Sequence, residues 1–173
     1  CAIRPPGHHA EHDRSMGFCL INSVATAAKY ALERHDLERV AIVDFDVHHG
    51  NGTEDIVSGD ERILMVSIFQ HPFYPHSGAN SMGSNIVNLP VPAYTKGAVV
   101  REMIEHSWIP RLEAFKPQMI FISAGFDAHK DDDLGQLGLV EQDYAWMTAR
   151  IKDIANRHAN GRIVSCLEGG YNL

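Results

Sequence analysis

The residues best suited to chemistry lie in Val43-Asp44-Phe45-Asp46-Val47-His48-His49-Gly50-Asn51-Gly52-Thr53, directly after the apolar Val40-Ala41-Ile42. A short run rich in β-branched residues and closed by glycine reads as a buried strand. If that strand runs on through His48, side-chain alternation puts Asp44, Asp46 and His48 on one face and Val43, Phe45 and Val47 on the other. Carboxylates and an imidazole crowded onto one buried face are costly unless positive charge sits between them. A divalent metal meets that need, and carboxylate oxygen with imidazole nitrogen suits zinc. D-x-D alone would fit a solvated strand end equally well; the longer D-x-D-x-H-H-G-x-G favours the metal.

A second cluster comes earlier. Arg4-Pro5-Pro6-Gly7-His8-His9 joins two prolines, which fix the backbone path, to a glycine that permits a sharp turn. The adjacent imidazoles are therefore presented from a rigid loop. Two further apolar runs end in polar, glycine-flanked segments, one carrying Asp127 and His129 and the other Tyr171.

These groups must be positioned by a common frame. The spacing of Ile21, Val24, Ala25, Ala28 and Leu32 predicts a helix over 21–34, and Phe18 just before it reads as core on spacing alone. A strand over 40–46 follows, then a short helix over 53–57 with an acidic first turn. Strands are expected at 62–68, 119–123 and 163–167. The Pro-, Gly-, Ser- and Asn-rich stretch 70–93 reads as one long loop. Residues 94–115 read as helix with Val99, Met103, Ile104 and Leu112 as its apolar face, kinked or split at Pro110. A Gly- and Asp-rich loop spans 130–138, and a helix over 140–158 ends near Asn160-Gly161. Strands alternating with helices predict an α/β fold, a parallel sheet with helices on both faces. In such sheets ligands bind outside the carboxyl ends of the strands, which would gather the polar clusters at one end.

Composition bounds the rest. A chain of 173 residues, 45% of them hydrophobic, is one domain's worth, able to bury roughly 70% of its unfolded surface. With 15 Lys+Arg against 22 Asp+Glu, a net charge of −7 and no basic stripe, direct nucleic-acid binding is not expected. Three cysteines without a C-x-x-C pair predict reduced thiols and a cytoplasmic home, or a nuclear one in a eukaryote. No signal peptide and no membrane-spanning run is seen. The chain opens on Cys1 and stops soon after Glu168-Gly169-Gly170-Tyr171, so both ends look cut from something longer, with an oligomer or missing segments completing the site.

Five segments resemble the histone deacetylase family, in family order: RPPGHHA at Arg4–Ala10, GFC at Gly17–Cys19, VDFDVHHGNGT at Val43–Thr53, AGFDAH at Ala124–His129 and EGGYNL at Glu168–Leu173. They are more similar to class II members and bacterial histone deacetylase-like amidohydrolases than to class I. The resemblance implies an arginase-like fold, with residues 1–173 as the central part of one zinc-dependent catalytic domain truncated at both ends. It implies zinc held by Asp46, His48 and Asp127. It makes His9 the general base and His8 its charge-tuning neighbour, held by Asp44. Asn51 stands where some members pair the second histidine with Asp, so that ring's pKa should be less elevated. Tyr171 would be the oxyanion donor. Gly17, Phe18, Tyr74 and Gly170 would contact substrate, with Phe18 and Tyr74 as aromatic walls. Asp44, Ser67 and Ile68, with the backbone of Asp46 and His48, resemble a potassium site. His129 and Asp132 follow the family's DAHxxD pattern, while Asp133 stands where Pro is usual, which implies a looser loop without cost to chemistry.

The implied activity is hydrolysis of the acetyl amide of acetyl-lysine on a protein. An acetylated polyamine is the alternative substrate, favoured by a narrow acidic mouth. A catalytically weak acyl-lysine binding module is the rival from another class. Binuclear manganese hydrolysis of the arginase kind is disfavoured, because it needs more bridging ligands than this strand offers.

Overall fold

The computed structural model describes residues 4–172, so Cys1 and Leu173, the last residue of the EGGYNL segment, lie outside the described residues. Its elements are α1 (Ser23–Arg34), β1 (Val40–Asp44), α2 (Asn51–Val57), β2 (Ile63–Gln70), β3 (Ile86–Val91), α3 (Gly97–Phe115), β4 (Met119–Ala124), α4 (Glu141–His158) and β5 (Ile163–Leu167). Five parallel strands lie in the order β3-β2-β1-β4-β5.

The sheet is covered on both faces, as the alternating elements predict. Ala41 and Val43 of β1 join one apolar cluster with Val100, Ile104 and Trp108 of α3 and Met147 and Ile151 of α4. Val40 and Ile42 face the other way, against Val24, Ala25 and Ala28 of α1 and Val57 of α2. Alternation along one strand thus feeds two cores, which is why β1 is apolar throughout until Asp44.

Several expectations need correction. The stretch 70–93 is not one loop: residues 86–91 form β3 at the sheet edge. Asn88 and an exposed Pro90 hide it from pattern reading, yet an edge strand can spare the donor that proline lacks. β1 ends at Asp44 and does not run through His48. Carboxylates take over the following backbone donors: Asp44 Oδ1 accepts the Asp46 N–H (3.1 Å), Asp127 Oδ1 that of Val47 (2.9 Å) and Asp46 Oδ1 that of His48 (2.8 Å). Pro110 does not split α3. It lies on the exposed side, where water can satisfy the carbonyl it leaves unpaired. α3 begins at Gly97 rather than at Tyr94, whose φ of 66° is left-handed. Its buried face is Val100, Ile104, Trp108 and Leu112, while Val99 is half exposed.

α1 starts at Ser23 because Asn22 caps it, its Oδ1 accepting the Ala25 N–H at 2.9 Å. Ile21 lies outside the helix and is exposed. α2 starts at Asn51, two residues before the expected Thr53. Cys19 and Cys166 are free, buried thiols. No helix among the described residues is long and apolar enough to cross a membrane.

Candidate active site

Strand order reverses around β1: the chain moves from β1 to β2 and β3 on one side, then returns to β4 and β5 on the other. The crevice at the carboxyl ends of β1 and β4 is where such a sheet binds ligands. Asp46 and His48 follow β1 there, and Asp127 follows β4. One ligand atom from each of these three lies within 4.8 Å of the others. His48 Nδ1 is 3.0 Å from Asp46 Oδ1 and 3.2 Å from Asp127 Oδ2. Asp46 and Asp127 are fully buried.

Buried carboxylates without a cation draw protons, and this cluster does so. Burial and the neighbouring Asp46 push Asp127 up to about 7. Burial works against a charged His48, but the Asp127 and Asp46 carboxylates beside it raise it to about 9. Burial would also raise Asp46, yet His8 and His48 hold it below the ordinary carboxylate range. Asp127 Oδ2 has no hydrogen-bond partner among the described residues. Gly125 and Gly169 press their backbones on the two carboxylates so closely that a Cβ at either would collide with them. A divalent cation fits this donor set, since it would replace the retained protons and use the orphaned oxygen.

The tandem imidazoles arrive from the 4–10 loop, their rings 4.1 Å apart. His8 Nδ1 is 2.9 Å from Asp44 Oδ2, and its Nε2 is 3.7 Å from Asp46 Oδ1. Burial disfavours a charged His8, but Asp44, Asp46 and Glu168 outweigh it and hold the ring well above its usual pKa. His9 Nδ1 is 2.8 Å from Asn51 Oδ1, and Asn51 Nδ2 donates to Glu11 at 2.7 Å, which fixes the amide's orientation. An acceptor at Nδ1 puts the His9 proton there and leaves Nε2 with its lone pair. Burial and the charge on His8 lower His9 to about 3, against the opposing bond it donates to Asn51.

A pocket of about 500 Å³ opens above this cluster. His9, His48 and Tyr171 line its polar side; Gly17, Phe18, Phe73, Tyr74 and Leu134 line its apolar side. Phe18 is 74% exposed, which overturns its reading as core. Phe73, which sequence reading passed over, stacks on His48 with ring centroids 5.4 Å apart. Tyr74 meets His9 edge-on at 5.2 Å. Gly17 sits at φ 56° against the His9 ring, where a side chain would collide with the imidazole. Asp133 also lines this pocket, so its place in the chain reaches the mouth of the site. Gly170 lines a different cavity, with Phe126, His129 and Tyr144.

Tyr171 is half-buried and held by its backbone: Asp132 Oδ2 accepts the N–H of Tyr171 at 2.6 Å and of Asn172 at 3.1 Å. That gives Asp132, matched by pattern only, a physical role. Burial and the carboxylates Asp46 and Asp127 raise the phenol, keeping it a donor. Asp44 pairs with Ser67 across β1 and β2, and the buried Ser67 Oγ has no hydrogen-bond partner among the described residues.

The family model described as histone deacetylase domain matches residues 1–173. This chain belongs to the histone deacetylase family. It is 47% identical to a type-2 histone deacetylase 2 of Dictyostelium discoideum, over all of this chain and 11% of that protein. It is 41% identical to a histone deacetylase-like amidohydrolase of Pseudomonas aeruginosa, over 98% of this chain and 46% of that one. The crystal structure of the HDA15 HD domain superposes with a TM-score of 0.90 at 38% identity, over 98% of this chain and 50% of that chain. The histone deacetylase-family chain described here thus spans about half, or less, of the length of these relatives.

His49 and Glu168 were missed as participants by sequence reasoning. His49 turns away from its neighbour to Glu54, 2.6 Å from Nε2, and to Ser77 Oγ, 2.8 Å from Nδ1. Glu168 is fully buried at the end of β5. A signal for it existed: a carboxylate placed directly after an apolar strand must find partners if the strand end is buried.

Proposed function

We propose that this chain carries the reaction centre of a zinc-dependent amidohydrolase that cleaves the acetyl amide of acetyl-lysine into acetate and the free amine. One observation carries the reading: a carboxylate–imidazole–carboxylate cluster, a neutral imidazole and a phenol meet at one aromatic-walled pocket. Two carboxylate oxygens and one imidazole nitrogen suit zinc, and leave further positions for water and substrate. Zinc held by Asp46, His48 and Asp127 would supply Lewis-acid polarisation of the acetyl carbonyl and of the attacking water.

This chain's own groups do the rest. The walls of Phe18, Phe73 and Tyr74 receive the apolar stem of the lysine and exclude water from the amide. His9 takes the proton of the attacking water at Nε2, the nitrogen left free by its bond to Asn51. Tyr171 donates its hydroxyl to the carbonyl oxygen as negative charge develops there. The protonated imidazole then returns a proton to the departing amine. His8 keeps its charge against Asp44 throughout and biases its neighbour toward neutrality. The orphaned Ser67 Oγ beside Asp44 supports a potassium ion held by Asp44, Ser67 and the carbonyls of Asp46, His48 and Ile68.

Asp133 at the pocket supports a second substrate reading, an acetylated polyamine, whose remaining ammonium groups a carboxylate would attract. The deciding experiment measures acetate release from an acetyl-lysine peptide and from acetylputrescine, before and after chelation and with zinc restored. Zinc-dependent turnover of the peptide upholds the first reading, and turnover of acetylputrescine alone replaces it with the second. A zinc-loaded chain that binds the peptide and releases no acetate is a binding module.

A further inference from the structure

We propose that Glu168 is a positioning residue that sets the tandem imidazoles of the 4–10 loop against the metal-ligand cluster, an inference that rests on the hydrolase reading above. Pro5 and Pro6 carry no backbone N–H, so the first donors this loop can offer after them are those of Gly7 and His8. Both go to one oxygen of Glu168: Oε2 accepts from Gly7 N at 2.6 Å and His8 N at 3.1 Å. The other oxygen, Oε1, accepts from Ser123 Oγ on β4 at 2.9 Å.

The backbone of Glu168 completes the tie. Its N–H donates to the Ala124 carbonyl at 3.0 Å, and its carbonyl accepts from Arg4 Nη1 at 3.0 Å. The next residue, Gly169, donates its N–H to Asp46 Oδ2 at 2.8 Å. One short segment therefore touches the imidazole loop, the strand that delivers Asp127 and a ligand of the cluster. Downstream, the loop is fixed by the Thr53 N–H donating to the His8 carbonyl at 3.1 Å. His8 is thus clamped at its N–H by Glu168 and at its carbonyl by Thr53, and the rings of His8 and His9 inherit that placement.

A carboxylate that served packing alone would not need to meet two consecutive N–H groups of this loop. An apolar residue could fill a buried strand end at lower cost. The role is also distinct from catalysis, because Glu168 does not line the pocket.

The test compares Glu168→Ala, Glu168→Asp and Glu168→Gln in the zinc-loaded chain. kcat and KM for the acetyl-lysine peptide, zinc stoichiometry and the thermal midpoint are measured for each. Nitrogen–proton correlation spectra of the histidine rings are recorded in the zinc-free protein. Displacing a reacting group by about an ångström can cost about 100-fold in rate. Glu168→Ala should lose kcat on that scale, with KM and zinc stoichiometry held. Glu168→Asp, too short to reach Ser123 and the loop together, should lose less. Glu168→Gln should recover most of the rate, because its amide oxygen can accept both N–H groups while its nitrogen donates to Ser123.

A lowered thermal midpoint with unchanged kcat per zinc-loaded molecule in Glu168→Ala would overturn the proposal. If that variant does not fold, equal kcat for Glu168→Asp and wild type overturns it instead. A wild-type chain that holds zinc but releases no acetate refutes the hydrolase reading and leaves the spectra to decide this one. His8 and His9 signals that move in Glu168→Asp and return in Glu168→Gln uphold the positioning role, and signals that stay put in both refute it.

Discussion

His8-His9 and His48-His49 are both adjacent imidazole pairs at the same end of the sheet, yet only the first keeps its rings together. His8 and His9 sit on a turn, with their rings 4.1 Å apart; His9 lines the pocket and His8 is buried beside it against Asp44. Their partners differ, Asp44 for one and Asn51 for the other, and so do their charges. His48 and His49 follow the end of a strand and point apart. His48 joins Asp46 and Asp127, whereas His49 is buried against Glu54, Ser77 and the ring of Phe69. Neighbours in sequence share a function only where the backbone turns both side chains to one place. Where it turns them apart, as after β1, one joins the carboxylate cluster and the next packs into the frame.

The sharpest way to break this comparison is to remove the ring assigned to the metal. His48→Ala should abolish turnover and weaken zinc binding by more than the about 10- to 100-fold that loss of an outer partner costs. Metal analysis and acetate release check both effects. His9→Ala comes next: turnover should fall by about 10²- to 10⁴-fold with zinc stoichiometry unchanged. If zinc is lost with it, the division of labour between the pairs is wrong.

His49→Ala tests the framing role. It strands Glu54 in a buried site and should cost about 1–3 kcal/mol of stability, read from urea unfolding. Turnover per folded molecule should fall far less than in His9→Ala. The same pair makes a pH prediction. Burial pushes Glu54 up, but bonds from His49, the Met82 N–H and Asn88 reverse that and leave its pKa below the ordinary value. A carboxyl lowered in this way contributes stability that is complete above its unfolded pKa of about 4.3 and is lost as pH falls through its lower folded value. The stability advantage of wild type over Glu54→Gln should therefore shrink on going from about pH 5 to about pH 3. The smallest effect belongs to the rim. Asp133→Asn should raise KM for acetylputrescine by about two- to fivefold, the range of an exposed charge contact, with little change for a neutral substrate. Added salt should erase the difference.

Much of the fold is legible in the residues alone. The alternation of apolar strands and helices foretold a parallel sheet covered on both faces, and each apolar strand of β1, β2, β4 and β5 was read within two residues of its observed bounds. β3 was not, because an exposed edge strand carrying Asn88 and Pro90 has neither the apolar run nor the alternation that marks a buried one. The extent of β1 was misjudged for a different reason. Alternation does continue, with Val43, Phe45 and Val47 in one core, but carboxylates capture the backbone donors and end the ladder at Asp44. Spacing alone makes Phe18 core, and its left-handed backbone at the pocket mouth exposes it instead.

Residue order alone set which groups are available and where: acids and imidazoles at strand ends, prolines before the first imidazole pair, glycines where backbone must approach closely. Residue type and local spacing carry that information, because they set hydrophobic periodicity, donor count and turn freedom. Which of these groups meet depends on the fold. Asp127 lies 79 residues after His48, Glu168 more than 150 after Gly7, and no local pattern orders such pairs. Strand order does, by bringing the carboxyl ends of β1, β4 and β5 side by side. Burial then makes each charge depend on its neighbours, so that His8 is raised and His9 lowered although they are adjacent and of one type.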